Sequence, residues 1–170
     1  MLDETIITET PPLYSCYGHI GQQVRVPITG HRAKRVLHGA IHVGTGDVAG
    51  MITKAWTQEE HQDFLGVIRS HWRGWNIVFF EDRASQHTAP DSLDWAEQLA
   101  IEIRWLPVAT PELNARDHLG RHTQRATLGS RATLSVEESA LAACRYIGGL
   151  SPRDRLRQAG ILSGNFWLTK

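Results

Sequence analysis

The sequence contains little that would tie the protein to a membrane, a secretory route or a disulfide framework. Only two cysteines occur among the 170 residues, Cys16 and Cys144, and they form no CxxC pair. This excludes a disulfide scaffold and a zinc knuckle. No apolar run approaches the roughly 18 residues of a transmembrane helix, and the N-terminus lacks a basic-then-apolar signal segment. We therefore expect a cytoplasmic protein with no membrane partner.

The sequence also lacks net charge. Its 18 basic and 18 acidic residues balance, so it does not resemble a protein that coats nucleic acid by bulk attraction. Local basic clusters remain, at Arg121, Arg125 and Arg131 and in the tail between residues 153 and 157. The length and the 41% apolar content fit one globular domain with a sizeable core. No internal repeat or low-complexity linker divides the chain.

Alternating apolar residues predict an antiparallel meander in the first third of the chain. The predicted strands are residues 1–8, 24–28, 36–43 and 48–53. The run Gly44-Thr45-Gly46-Asp47 between the last two is typical of a hairpin turn.

From Thr57 the apolar spacing changes to that of a helix, and Thr57 with Glu60 forms a capping-box pattern. The continuous apolar run Ile77–Phe80 predicts a strand buried on both faces. A helix over 91–100 follows, with Leu93, Ala96, Leu99 and Ala100 directed inward. The remaining predicted elements are a strand over 101–106 and helices from about Asn114, over 136–147 and over 152–159. This order predicts an α/β fold with a mixed sheet, an antiparallel meander plus parallel strands, flanked by helices.

Three acids stand in settings suited to metal chemistry. Asp3 lies in the first strand, Asp82 directly follows the apolar run Ile77–Phe80 and Glu81, and Asp117 lies three residues after the helix N-cap Asn114. Thirty-four residues separate the second and third acids. Mg²⁺ prefers carboxylates together with water and phosphate oxygens, and two such ions support phosphoryl transfer. The alternative reading of Asp117 is a carboxylate that only favours the positive end of its helix.

The segments around these acids resemble the catalytic core of the DDE transposases. The resemblance rests on Met1–Thr5, on the segment from Phe80 to Thr88, and on Leu106–Asp117 with its Pro-Glu-Leu-Asn loop, and it extends over nearly the whole chain. The interval of thirty-four residues is also that of mariner-type elements, and the bacterial insertion-sequence branch related to mariner is the most similar.

The resemblance implies a ribonuclease H-like fold and Mg²⁺- or Mn²⁺-dependent cleavage and strand transfer of DNA, with two ions. It implies that Asp3, Asp82 and Asp117 are the catalytic, metal-binding triad, with Asp3 bridging the ions. The implied partners are transposon ends and target DNA, bound by a homodimer. Contacts to DNA are expected from side chains near the acids, namely His87, Arg116, Arg121 and Arg125.

Three departures from the family pattern affect the expected activity more than the expected fold. No helix-turn-helix segment precedes Asp3, so residues 1–170 are expected to form a single catalytic domain and a separate frame to encode the DNA-binding part. Ala115 and Gly120 stand where the family has proline and tryptophan, and we expect Gly120 to weaken its helix by about 1 kcal/mol and to leave packing unfilled. The family has a basic residue a few positions later, and this chain has His122-Thr123-Gln124-Arg125 there, so the matching position is not defined.

Two alternative functions remain open: an inactive transposase remnant that folds or dimerises, and another ribonuclease H-like nuclease acting on RNA–DNA hybrids. His118 and His122 flank Asp117 at helical spacing, yet zinc there would lack a third strong ligand. Trp72 fits the apolar stripe of its helix better than a base-stacking role. Strand alternation directs Glu4 to the opposite face from Asp3, and Glu81 away from Asp82.

Overall fold

The structure, a computed structural model, describes residues 1–28, 30–131 and 135–169. Its elements follow the order that the sequence predicts, with one exception described below. The strands are β1 (Leu2–Thr8), β2 (Lys34–Ile41), β3 (Val48–Thr53), β4 (Ile77–Glu81) and β5 (Ile101–Trp105). The helices are α1 (Gln58–His71), α2 (Pro90–Gln98), α3 (Ala115–Thr127), α4 (Val136–Gly149) and α5 (Pro152–Gln158), and short 3₁₀ turns cover Pro111–Leu113 and Trp167–Thr169.

The strands form two hydrogen-bonded ladders. β1, β2 and β3 pair antiparallel in that order, and β4 pairs parallel to β5. β4 also lies beside β1, which places the two ladders next to each other. Three of the four predicted strands of the meander and the predicted parallel pair are therefore confirmed.

Helices cover both faces of the strands. One apolar cluster includes Phe64, Leu65 and Ile68 of α1 together with Leu2 and Phe79. The second cluster joins β1 and β2 to the later helices, through residues that include Ile7, Leu37, Leu119, Ala140 and Ile147. Because both faces are covered, the last six residues of β2 are all buried.

Helix starts agree with the local sequence. The Thr57 hydroxyl accepts from the Glu60 N–H and the Glu60 carboxylate accepts from the Thr57 N–H, so the predicted capping box is formed. The Asn114 side chain accepts from the Arg116 N–H at 3.0 Å and caps α3. These contacts fix where α1 and α3 begin, and α3 carries Asp117.

Three predictions about individual segments are wrong. Residues 24–28 form no strand, because Pro27 offers no N–H and the side chains of Val24 and Ile28, 50% and 59% exposed, have no apolar face to pack on. Val78 of β4 is 44% exposed, so this strand is buried on one face only. Leu93 of α2 is also exposed, and Ala100 lies beyond the helix end in a left-handed conformation (φ 51°).

Within the described residues, none of the helices combines the length and apolarity that a membrane crossing requires. Trp72 packs against the apolar cluster of α1, and its Nε1 donates to Asp47 Oδ2 at 2.9 Å, which supports a packing role.

Candidate active site

Asp82 directly follows the carboxyl end of β4, where its side chain is 56% exposed. Its Oδ1 accepts from the Ala84 N–H at 3.1 Å and from His87 Nδ1 at 2.9 Å. The hydrogen bond from His87 lowers the pKa of the Asp82 carboxyl below its usual range and outweighs partial burial. Asp82 is therefore a rigidly held, ionised carboxylate that faces solvent.

Asp3 lies in β1 opposite Gly39 of β2. Its Oδ1 accepts from the Glu4 N–H at 2.9 Å. Burial, and then the neighbouring charges of Glu4 and Asp117, raise the pKa of Asp3 to about 7 despite the hydrogen bond from the Glu4 N–H. A cation bound beside such a carboxyl stabilises its ionised form and relieves the repulsion between the acids.

Asp117 is held near Asp3 by the cap of α3. The Asn114 Nδ2 donates to the Leu2 carbonyl at 2.9 Å, which ties the start of α3 to the start of β1. Asp117 lies in the first turn of that helix and pairs with Arg121 one turn later. The cap that the sequence predicts thus also places the third acid within electrostatic range of the first.

Asp3 and Asp82 line one cleft of about 330 Å³. Asn114 and the loop after β5 complete its wall, with Arg83, Ala84 and the residues from Leu106 to Pro111. Asp117 is not among the described residues that line this cleft, and it acts on Asp3 from α3. Two carboxylates in one cleft and a third coupled to them by charge form a donor set that suits Mg²⁺ or Mn²⁺, which favour oxygen ligands.

Two of the four residues expected to contact DNA are buried. Arg116 is 2% exposed, and a Cβ on Gly39 would lie 2.0 Å from its Nε, so the guanidinium fills space against β2. His87 is 1% exposed and bonds Asp82. Neither side chain reaches the surface in this structure, and the expected contact of each with DNA stays a prediction. Arg121 and Arg125 are exposed, and their expected role stays a prediction.

Arg116 instead supplies a buried positive charge close to the acids. Burial lowers the pKa of its guanidinium, while the charges of Asp3 and Glu4 favour the protonated form. The sequence does not reveal this role, because an arginine after a helix N-cap is usually solvated.

The expectation that Gly120 leaves unfilled packing is also wrong. A Cβ at this position would lie 2.4 Å from Thr5 Oγ1, so glycine allows α3 to approach β1 closely. The helix is therefore packed closely against the strand at Gly120, where unfilled packing was expected.

Glu4 lies on the face of β1 opposite Asp3, as the sequence predicts, and has two histidine partners that the sequence does not reveal. The Glu4 Oε1 lies 3.3 Å from His38 Nδ1 and 3.3 Å from His87 Nε2. Burial alone would raise the pKa of Glu4, but these two histidines lower it to about 2. The available signal was that successive side chains of a strand point to opposite faces, which puts Glu4 on the same face as the buried Leu2.

The mixed sheet with helices on both faces is the ribonuclease H-like fold, which solved transposase structures share. The model of the DDE superfamily endonucleases matches residues 1–138, and the chain belongs to this family. No curated protein matches the chain.

Solved structures of Mos1 transposase are similar in fold. The Mos1 paired-end complex with the left transposon end has a TM-score of 0.76 at 19% identity, covering 97% of this chain and 52% of that one. The Mos1 mariner paired-end complex with Mn gives 0.72 at 17% identity, over 95% and 51%. The Mos1 catalytic domain with Raltegravir and Mg gives 0.60 at 16% identity, over 76% and 70%. The chain thus spans about half the length of the full transposase that it resembles.

Proposed function

We propose that this chain is the catalytic domain of a DNA transposase of the bacterial insertion-sequence branch related to mariner. In this role it cleaves DNA strands at the ends of a mobile element and joins a 3′-hydroxyl to target DNA. The observation that carries the proposal is the shared cleft of Asp3 and Asp82, with Asp117 coupled to Asp3 by charge.

Each acid has a distinct part in the proposal. Asp3 shares the cleft with Asp82 and is coupled by charge to Asp117, so it would bridge two ions, while Asp82 and Asp117 would each bind one. Two bound Mg²⁺ or Mn²⁺ ions supply activation of the attacking oxygen and stabilisation of the leaving oxygen. The protein holds the carboxylates: His87 and the Ala84 N–H fix Asp82, and Arg121 holds Asp117.

The proposed partners are transposon ends and target DNA. Two of the similar Mos1 structures are paired-end complexes, which supports assembly of two copies on DNA. Because the chain spans about half of that transposase, we propose that a helix-turn-helix segment outside residues 1–170 supplies recognition of the ends.

The test is Mg²⁺- or Mn²⁺-dependent nicking of DNA that carries the ends of the element encoding this chain. Asp82→Asn should abolish nicking, because one ion loses its carboxylate. Asp94→Asn, at an exposed acid of α2, is the matched control and should cut like the unmodified protein. Nicking that persists in Asp82→Asn rejects the assigned role of this acid.

A change of nucleic-acid substrate and a metal titration by calorimetry separate the alternatives. Activity on RNA–DNA hybrids but not on duplex ends would identify a different nuclease. Absence of divalent-cation binding at millimolar concentration would identify an inactive remnant. The close fit of Gly120 against Thr5 removes one of the reasons for expecting such a remnant.

A further inference from the structure

A group of ionisable side chains is buried on the other face of β1, away from Asp3. It consists of Glu4, His38, His61, Glu81 and His87, and we refer to it as the interior cluster. Their side chains are between 0% and 3% exposed. They come from four separate segments, namely β1, β2, α1 and the stretch from the end of β4 to residue 87.

Several polar atoms of the interior cluster have no hydrogen-bond partner in the described part of the chain. These are both ring nitrogens of His61, both carboxylate oxygens of Glu81 and Glu4 Oε2. The nearest approach of His61 to an acid is 3.8 Å, from Nε2 to Glu81 Oε2, beyond hydrogen-bond distance. An unpartnered buried polar group costs about 1–3 kcal/mol, so five such atoms together point to a missing bound species.

Three members of the cluster have the spacing of metal ligands. Glu4, His61 and His87 each offer one ligand atom, and these atoms lie within 4.8 Å of one another. The Glu4 Oε1 to His87 Nε2 distance is 3.3 Å. Ligand atoms about 2.0–2.1 Å from a tetrahedral Zn²⁺ lie about 3.4 Å apart, so modest side-chain rotation closes the site.

We propose that Glu4, His61 and His87 bind a divalent transition-metal ion of the Zn²⁺ class. This site is separate from the proposed catalytic site and does not depend on it. One carboxylate and two imidazoles suit Zn²⁺, whereas the all-carboxylate set of Asp3, Asp82 and Asp117 suits Mg²⁺ or Mn²⁺.

The groups around the site supply one negative charge and a neutral ligand. Against the effect of burial, His38 and His87 lower the pKa of Glu4 to about 2, so Glu4 offers a charged carboxylate, whereas burial raises the pKa of Glu81 to about 8 and leaves it mainly neutral at pH 7. Burial lowers the pKa of His61 to about 3, so its ring is neutral at pH 7 and keeps a lone pair for a metal. His38 Nε2 donates to Thr53 Oγ1 at 3.0 Å, which fixes the ring that lies against Glu4.

His87 connects the two sites. Its Nε2 faces Glu4, and its Nδ1–H donates to Asp82 Oδ1 at 2.9 Å. A metal-binding histidine characteristically donates its other N–H to a carboxylate, which fixes the ring and its tautomer. An ion at Nε2 would therefore help hold the proposed catalytic Asp82 in place.

The test uses tag-free protein, refolded with and without Zn²⁺ and then dialysed against excess Mg²⁺. Elemental analysis should give one Zn²⁺ per chain after refolding with the ion. The X-ray absorption spectrum should show first-shell distances of about 2.0–2.1 Å and the outer-shell scattering of imidazole rings. Carboxylates do not produce this scattering, so the spectrum of the unmodified protein alone distinguishes the interior cluster from the catalytic acids.

Variants sharpen the result. His61→Leu should weaken Zn²⁺ binding by more than about 100-fold, above the range caused by loss of an outer hydrogen-bond partner. His71→Leu, at a partly exposed histidine of the same helix, and Asp117→Asn should both retain the ion. Circular dichroism checks that each variant is folded. Absence of Zn²⁺ from the refolded protein, a spectrum without imidazole scattering, or full binding by folded His61→Leu would each overturn the proposal.

Discussion

The imidazole of His87 donates from Nδ1 to the Asp82 carboxylate at 2.9 Å, while its Nε2 lies 3.3 Å from Oε1 of Glu4 in β1. One buried ring therefore joins a solvent-facing acid to the interior. Burial alone would lower the pKa of His87, yet Asp82 and Glu4 raise it to about 11 in the metal-free protein. In the metal-free protein Asp82 is thus held by a positively charged His87, and a metal ion at Nε2 would have to displace the proton from that nitrogen.

Replacing this ring should impair cleavage without removing any of the three acids. We expect His87→Gln to lower metal-dependent DNA cleavage by about 10–100-fold, because Asp82 loses the group that orients it. Divalent-cation titration and cleavage kinetics measure the effect. His71→Gln, on the surface of α1, is the matched control. Unchanged cleavage in folded His87→Gln would show that Asp82 needs no such partner.

The glycine opposite Asp3 should tolerate no side chain. A Cβ on Gly39 would lie 2.0 Å from Nε of the buried Arg116, so Gly39→Ala should lower the free energy of unfolding by about 1–3 kcal/mol. Gly50 is paired directly with Gly39 across the ladder, and its added Cβ would meet its nearest atom at 3.4 Å. Gly50→Ala is therefore the matched control, and urea unfolding compares the two. Equal stability of the two variants would contradict the packing of Arg116 against β2.

The exposed arginines should contribute to DNA affinity through charge. Arg125 stacks over Tyr14, with its guanidinium carbon 5.6 Å from the ring centre, and it remains exposed. If it contacts a phosphate, Arg125→Ala should reduce the slope of log affinity against log salt by about 0.9. Arg104→Ala, at an exposed arginine of β5, should leave the slope unchanged. Equal slopes for Arg125→Ala and the unmodified protein would remove Arg125 from the DNA contact surface.

The buried His61 should make the metal-free protein sensitive to acid. Burial lowers its pKa in the folded state to about 3 from 6.5, so between these values the unfolded chain binds a proton that the folded chain does not. Stability is therefore lost as the pH falls from 6.5 towards 3. Between pH 6 and pH 4 the free energy of unfolding should fall faster than in His61→Leu, by about 1.4 kcal/mol per pH unit. Parallel curves from urea unfolding at several pH values would show that His61 is not buried in its neutral form.

Much of the fold was predictable because its signals are local. The capping box of Thr57 and Glu60 and the N-cap Asn114 fix the starts of α1 and α3 within a few residues of sequence. The end of the apolar run before Asp82 likewise marks the strand end at which this acid lies.

The features that were missed depend on packing between distant segments. Residues 24–28 alternate like a strand but find no ladder partner, and sequence alone does not show that. Arginine and histidine are residue types that usually lie at the surface. Arg116 is buried because α3 approaches β2, and His87 is buried because its loop approaches β1. His61 of α1 lies next to Glu81 of β4, and no sequence motif connects these two segments, so their proximity could not be predicted.

The most direct test of the proposed active site is a crystal structure with Mn²⁺, measured for anomalous scattering at the manganese edge. The account predicts anomalous peaks in the cleft of Asp3 and Asp82, about 2.0–2.3 Å from carboxylate oxygens, with at least one ion also bound by Asp117. Peaks absent from this cleft at saturating Mn²⁺, or carboxylates of the three acids too far apart to share two neighbouring ions, would contradict it.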